Sequence, residues 1–279
     1  MTGNAPLKLE IKTALTAAHE QAFANTPHFD EIAMNVPDLI TVKAAKPLSH
    51  VKSVRRLFIW SQVTRAAMRH LISRPGLEEM IINELRPSGR LEGFEAARSV
   101  TLFSAAFGLK SADLLEIAKL PQLRNLSAHM AEFTNHALEA LIGHESLEEL
   151  DLEDTLFNDE HAAIVARSKK ITRLEIGATN LSAVGLAEIC QMSQLEGLDL
   201  WSTRIMPEDL DLLTGLSNLE YLSIGREQHA EFSFERVIPQ LEKLTRLKRI
   251  WLDGLTVTRS QMDDLLERYD WVGPMYVTD

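Results

Sequence analysis

The chain has 279 residues, 45% of them hydrophobic, enough to bury a substantial core in one or two domains. Forty carboxylates against 29 Lys and Arg give a formal charge of −11, which disfavours bulk binding to nucleic acid or an anionic membrane. A single cysteine, Cys190, excludes an intramolecular disulfide and a cysteine-only zinc site.

Residues 1–53 come first and lie outside the periodicity that begins at Val54. Leu7, Ile11, Leu15, Ala18 and Ala22 would line one helix face, although LKLEIK alternates as a strand does. Pro27, Pro37 and Pro47 punctuate the remainder of the segment. Charges interrupt the apolar residues of MTGNAPLKLEIKTALT, so it does not read as a signal peptide. No apolar run approaches the ~20 residues that span a bilayer. The expected location is therefore cytoplasmic, with no membrane and no nucleic acid among the partners. Arg65, Arg69 and Arg74 come next, around TRAAMRHLIS, and are expected on a solvated helix face. The acidity lies further on: thirty of the 40 carboxylates come after residue 100.

From Val54 onward the frame L-x-x-L-x-L returns. It reads VRRLFI from Val54, LEEMII from Leu77 and ARSVTL from Ala97, then LRNLSA from Leu123 and LEELDL from Leu147. ITRLEI from Ile171, LEGLDL from Leu195 and LEYLSI from Leu219 keep a step of 24 residues. LKRIWL continues from Leu247, and VGPMYV from Val272 ends the series. Past each strand stands another apolar residue: Phe107, Phe133, Phe157, Leu181, Ile205 and Val257, with His229 in the longer unit. Thr155, Thr179 and Thr203 share one corner slot. Helix starts are expected at Ser111, Asn135, Asn158 and Ser182, and near Pro207. A strand followed by a helix cannot bury its apolar side alone, so such units must stack.

These frames resemble the leucine-rich-repeat family over roughly residues 54–277. The resemblance implies an α/β solenoid, with a curved parallel sheet on the concave side and helices on the convex side. Residues 1–53 would form an N-terminal, helical cap, and residues 54–279 would hold about nine to ten repeats. Where the family usually has Asn or Cys at the corner, this chain has Thr.

Strand residues alternate between faces, so the third, fifth, seventh and eighth positions of each frame point outward. Outward slots in the earlier frames include Phe103, His129 and Met130; later ones include Arg226 and Pro274. An acidic patch emerges at Glu149, Asp151, Glu153, Asp154, Glu175 and Asp199, with Arg173 beside it. Next to it runs an aromatic ladder of Trp201, Tyr221, Trp251 and Tyr276, which Trp60 would extend. Trp and Tyr are enriched at interface hot spots, so these ten residues form the candidate binding face.

Catalytic and metal-binding spacings are missing: there is no HExxH, GxSxG, P-loop or GxGxxG. A glycosidase pair among the acids would need one raised pKa, which a solvated sheet is not expected to supply. A calcium loop would need a glycine that is not there. Cys190 reads as a packed small residue. The expectation is a non-enzyme without cofactor or metal that captures a protein partner with a basic surface. The family resemblance extends this to an inhibitor, such as an immunity protein neutralising a bacterial toxin. The alternative is an adaptor or signalling scaffold, for example a ubiquitin-ligase substrate-recognition module.

Overall fold

The structure is a computed structural model that describes residues 5–225, 232–273 and 275–278. Arg226, His229 and Pro274, placed by the frame on outward slots or a corner, lie outside the described residues. The chain divides into two compact units, Met1–Leu147 and Glu148–Asp279.

In the first unit six strands pair in parallel in sequence order. They are β1 (Lys8–Ile11), β2 (Phe29–Met34), β3 (Val54–Thr64), β4 (Glu79–Arg86), β5 (Leu102–Phe107) and β6 (Asn125–Ser127). Helices α1 (Ala17–Asn25), α2 (Val42–Ala45), α3 (Arg65–Ile72), α4 (Ser111–Ile117) and α5 (Asn135–Ile142) alternate with them. The segment expected as a helical cap thus contributes two strands as well. LKLEIK pairs as a strand, with Lys8 opposite Glu31 and Glu31 opposite Arg56, so the repeat register begins before Val54. The frame at Ala97 is displaced by three residues. Leu102 lies opposite Asn125, so the repeat starts at Val100, and Phe103 points into the core instead of outward. The same shift leaves Phe107 exposed and gives its corner to buried Leu109. Arg65 is not on a solvated face. It is buried, and its Nη2 lies 2.7 Å from the Asp113 carboxylate, which in turn accepts from the Lys110 backbone N–H.

The second unit repeats the arrangement with β7 (Glu149–Asp151), β8 (Arg173–Glu175), β9 (Gly197–Asp199), β10 (Tyr221–Gly225), β11 (Arg249–Asp253) and β13 (Trp271–Val272). Its helices are α6 (Asp159–Val165), α7 (Ala183–Ile189), α8 (Phe234–Leu241) and α9 (Arg259–Arg268), and a 3₁₀ segment, Pro207–Gly215, stands between β9 and β10. Leu150, Leu174, Leu198, Leu222, Ile250 and Val272 stand opposite one another strand by strand. The first five of them are at most 1% exposed. Each strand therefore closes its core against its neighbours, and each fully buried Leu or Ile contributes roughly 1.5–3 kcal/mol.

Helix starts are set by caps. Asn158 and Ser182 accept from the backbone N–H groups of Glu160 and Val184. Two starts expected at Ser111 and Asn135 fall one residue earlier, on Lys110 and Thr134. The threonine corners also have a clear role. The hydroxyls of Thr155, Thr179 and Thr203 donate to the carbonyls of Leu152, Ile176 and Leu200 at 2.6–2.8 Å. Each bond satisfies a strand-end acceptor, which at Leu200 also takes the Thr203 backbone N–H. The residue just before each threonine, Asp154, Ala178 or Ser202, is left-handed at φ 52–53°, which turns the chain out of the sheet.

Of VGPMYV, Val272 stays in the second unit's sheet and Tyr276 does not. The pairing strand is Trp271–Val272, and Tyr276 sits instead in β14 (Tyr276–Thr278), which pairs with β12 (Thr256–Thr258) in a separate two-stranded sheet. The last repeat starts three residues earlier than the frame suggests, because Tyr269, 6% exposed, takes its first apolar slot.

If core closure between neighbours carries stability, Leu198→Ala should cost about 2–5 kcal/mol. Leu156→Ala, at a residue 78% exposed, should change stability by less than about 0.5 kcal/mol. Urea denaturation of both variants provides the check, and equal shifts would contradict the packing described.

Candidate binding face of the second unit

Strict register places the outward side chains of the second unit in three rows. The first runs Glu149, Arg173, Gly197, Tyr221, Arg249, Trp271. The second runs Asp151, Glu175, Asp199, Ser223, Trp251. The third, at the strand ends, runs Glu153, Gly177, Trp201, Gly225, Asp253, held by the backbone bonds Asp154 N to Gly177 O and Ser202 N to Gly225 O. Nine of the ten expected site residues fall in or beside these rows; Asp154 occupies the turn just past Glu153. Tyr276 does not join them, and Trp271 takes its place, with ring centroid 5.5 Å from that of Trp251. Trp60 lies on the first unit's sheet, exposed and stacked on Phe58 at 5.9 Å.

Where a row has a glycine, neighbouring side chains bend across the gap. Arg173 leans over Gly197, its guanidinium carbon 5.8 Å from the Tyr221 ring centroid. Arg249 stands 5.7 Å from the same centroid. Both distances suit cation–π contact. Gly225 has φ +122°, and a Cβ there would meet the Asp253 carbonyl oxygen at 2.1 Å. Glycine is required on both counts. Over that gap the Trp201 indole Nε1–H donates to Asp253 Oδ2 at 2.6 Å, while the Trp201 backbone N–H donates to Asp199 Oδ1 at 2.7 Å. Trp201 is thus a half-buried, oriented wall, not a free-standing exposed ring. Glu153, Asp199, Trp201, Tyr221, Ser223, Trp251 and Asp253 enclose a hollow of about 380 Å³.

Glu153, Glu175 and Asp199 do not behave as solvated surface acids, contrary to expectation. Burial pushes Glu153 up to about 8, and repulsion from Asp199, Asp151, Glu175 and Asp154 adds to it. Burial likewise pushes Glu175 up to about 7, helped by Asp151 and Asp199 and opposed by Arg173. Asp199 is raised by burial, with the Trp201 N–H and the Ser223 hydroxyl pulling the other way. Side chains stacked from neighbouring strands shield one another from water, and like charges at strand spacing cannot all ionise at low cost. A bound cation would relieve this repulsion directly. Three participants were not singled out in the sequence: Asp253, Ser223 and Trp271. Asp253 shares the outward row of Trp201, which is the signal that could have found it. Cys190 lies apart from this face, and burial pushes its thiol up to about 12, as suits a packed residue.

No family profile matches the chain, and no curated protein matches it in sequence. Solved structures do match. An internalin (InlF) from Listeria monocytogenes superposes with a TM-score of 0.51 at 16% identity, over 90% of this chain and 76% of its own. TLR13 in its complex with ssRNA13 superposes with a TM-score of 0.56 at 15% identity, over 90% of this chain; the chain spans 41% of that one. Both are leucine-rich-repeat proteins, and the likeness shows that fold for this chain. No helix among the described residues is long and apolar enough to cross a membrane.

Glu153 gives a pH test. Its folded pKa of about 8 exceeds its ordinary 4.5, so the folded state keeps a proton that the unfolded state loses. The associated stability is present below pH 4.5 and is lost as pH rises through 8. Glu153→Gln should therefore melt about 2–4 °C above the wild type at pH 8.5, a figure discounted for solvent screening, and together with it at pH 4.5. Thermal melts at the two pH values decide it, and a variant less stable at pH 8.5 contradicts the assignment.

Proposed function

We propose that this leucine-rich-repeat chain is a non-catalytic, cytoplasmic binding protein that captures another protein with a basic surface on the acidic and aromatic face of its second unit. The observation that carries this reading is the hollow itself, where Glu153, Asp199 and Asp253 alternate with Trp201, Tyr221 and Trp251. Aromatic walls suit an interface hot spot, because they exclude water around a few strong contacts. The crowded carboxylates supply complementarity to a cationic partner, which speeds encounter and rejects acidic proteins. They also favour association for a reason internal to the site, since a partner's cations offset repulsion that the face carries when empty.

Capture of this kind over a charged face suits inhibition, and the biological role we assign is that of an inhibitor, with an immunity protein that neutralises a toxin as the type.

The central test is affinity capture with the immobilised wild type and a Trp201→Ala/Trp251→Ala double variant, with circular dichroism confirming that both are folded. Basic proteins should be retained at least ~10-fold more by the wild type, as the loss of two hot-spot residues implies. Raising the salt from about 0.05 to 0.5 M should release them, because screening shortens the reach of the field. Equal recovery on both proteins, or capture indifferent to salt, contradicts the reading.

A further inference from the structure

The helical side of the first unit carries charge of the opposite sign to the second unit's face. Between Leu39 and Leu77 the sequence has eight Lys and Arg and no Asp or Glu. Two of the eight are neutralised, Arg56 by Glu31 at 3.2 Å and Arg65 by Asp113 at 2.7 Å. The other six, Lys43, Lys46, Lys52, Arg55, Arg69 and Arg74, make no ion pair among the described residues. Asp38 shares a small apolar hollow with Lys43 without pairing to it. Helix α3 packs against α2 and against the 3₁₀ segment Lys46–His50, so Lys43, Lys46 and Arg69 come to one side of the unit. All three are exposed. Just past α3, Arg74 Nη1 donates to the Leu48 carbonyl oxygen at 3.4 Å, which ties the helix end to that segment. Arg69 Nε donates to His70 Nε2 at 3.2 Å, a bond that needs a neutral imidazole. Burial holds His70 below its ordinary value, and the charges of Arg69 and Arg74 add to it.

We propose that this basic helical side docks on the acidic and aromatic face of the second unit of another copy of the chain, so that copies join head to tail. The inference goes beyond the capture of a foreign protein but rests on the same acidic face. Charge complementarity selects the occupant. The face offers both things that Lys and Arg side chains take, carboxylates for their heads and aromatic rings for their stems. Glu149, Asp151 and Asp154 supply the first, and Trp251 and Trp271 the second. A nucleic acid would instead run its phosphates past the patch and onto a chain that carries thirty carboxylates after residue 100. The net charge of −11 opposes association at long range, but salt screens it within ~10 Å and leaves the local match in force. The contact joins two different surfaces and is therefore heterologous. Each copy in a pair leaves one surface of either kind open, and assembly continues until a ring closes.

The test is sedimentation equilibrium of the full-length chain and two variants, each checked for folding by circular dichroism. Lys43→Glu/Lys46→Glu/Arg69→Glu reverses the exposed basic side, and Glu149→Gln/Asp151→Asn/Asp154→Asn neutralises the acidic face with side chains of the same shape. At about 0.1 M salt the mean mass of the wild type should rise with concentration to at least ~2-fold that of one copy, and at about 0.5 M it should return to one copy. Each variant alone should stay a single copy. Mixed in equal amounts they should form a dimer and stop there, because the first keeps its acidic face and the second its basic side. A wild type that is a single copy at both salts, assembly that persists in either variant alone, or a mixture that does not pair overturns the inference. If one variant fails to fold, loss of assembly in the other and its dependence on salt decide. Capture separates this inference from the broader reading. A single-copy wild type that still retains basic proteins removes the assembly and leaves the binding face. Assembly as described, with a single-copy basic-side variant that retains no basic protein, keeps the assembly and removes the broader reading.

Discussion

A repeat that buries its leucines only against the leucines of its neighbours has to keep those neighbours in register. In the second unit the line from Leu150 through Leu174, Leu198 and Leu222 to Ile250 shows the constraint at work. A slip by one residue on any strand would turn its leucines to the open face and its acids into the core. The same constraint dictates the other side of the sheet. Outward residues are stacked as strictly as inward ones, at about 4.8 Å per strand, whether or not their chemistry suits it. Asp151, Glu175 and Asp199 stand side by side for that reason, and the energy of core packing holds them there.

Rows alone would make a flat, charged surface. Glycines convert part of it into a hollow. Gly225 lets the Trp201 indole cross a strand to reach Asp253, Gly197 lets Arg173 lie against Tyr221, and Gly177 leaves the gap around which Glu153 and Asp199 gather. Two of the nearby cations are thereby engaged with an aromatic ring, while the third row holds acids and aromatics. The raised carboxylates result from this geometry, since shielding by neighbouring side chains adds to repulsion. A face held in this condition gains from any cation that fits it, which connects packing in the core to recognition on the surface.

Much of this was legible in the sequence. The 24-residue step identified the fold, and the alternation of positions placed Glu149 through Trp251 on one face. Frames failed where two apolar residues three apart could each serve as the start. Ala97 and Val100 compete in that way, and so do Tyr269 and Val272; only pairing with the next strand chooses between them. That ambiguity put Tyr276 in the ladder in place of Trp271 and turned Phe103 outward. Residues 1–53 were harder still: Phe29, Ile32 and Met34 do repeat the frame ahead of Val54, but Pro27 and Pro37 on either side read as punctuation and LKLEIK fits two structures. The perturbed acids could not be read from position at all. A sheet face looks solvated residue by residue, whereas Glu153 shares a hollow with Asp199, Trp201 and Trp251 from other strands.

The central claim is that register and glycine gaps hold a carboxyl on the open face against its neighbours' charge. Its most direct test is the titration of the Glu153 side-chain carboxyl, followed by its 13C resonance in the full-length protein from acid to alkaline pH. The account expects a midpoint near 8, falling towards the ordinary value when Asp199 is replaced by asparagine. A midpoint near 4.5 in the wild type would contradict it.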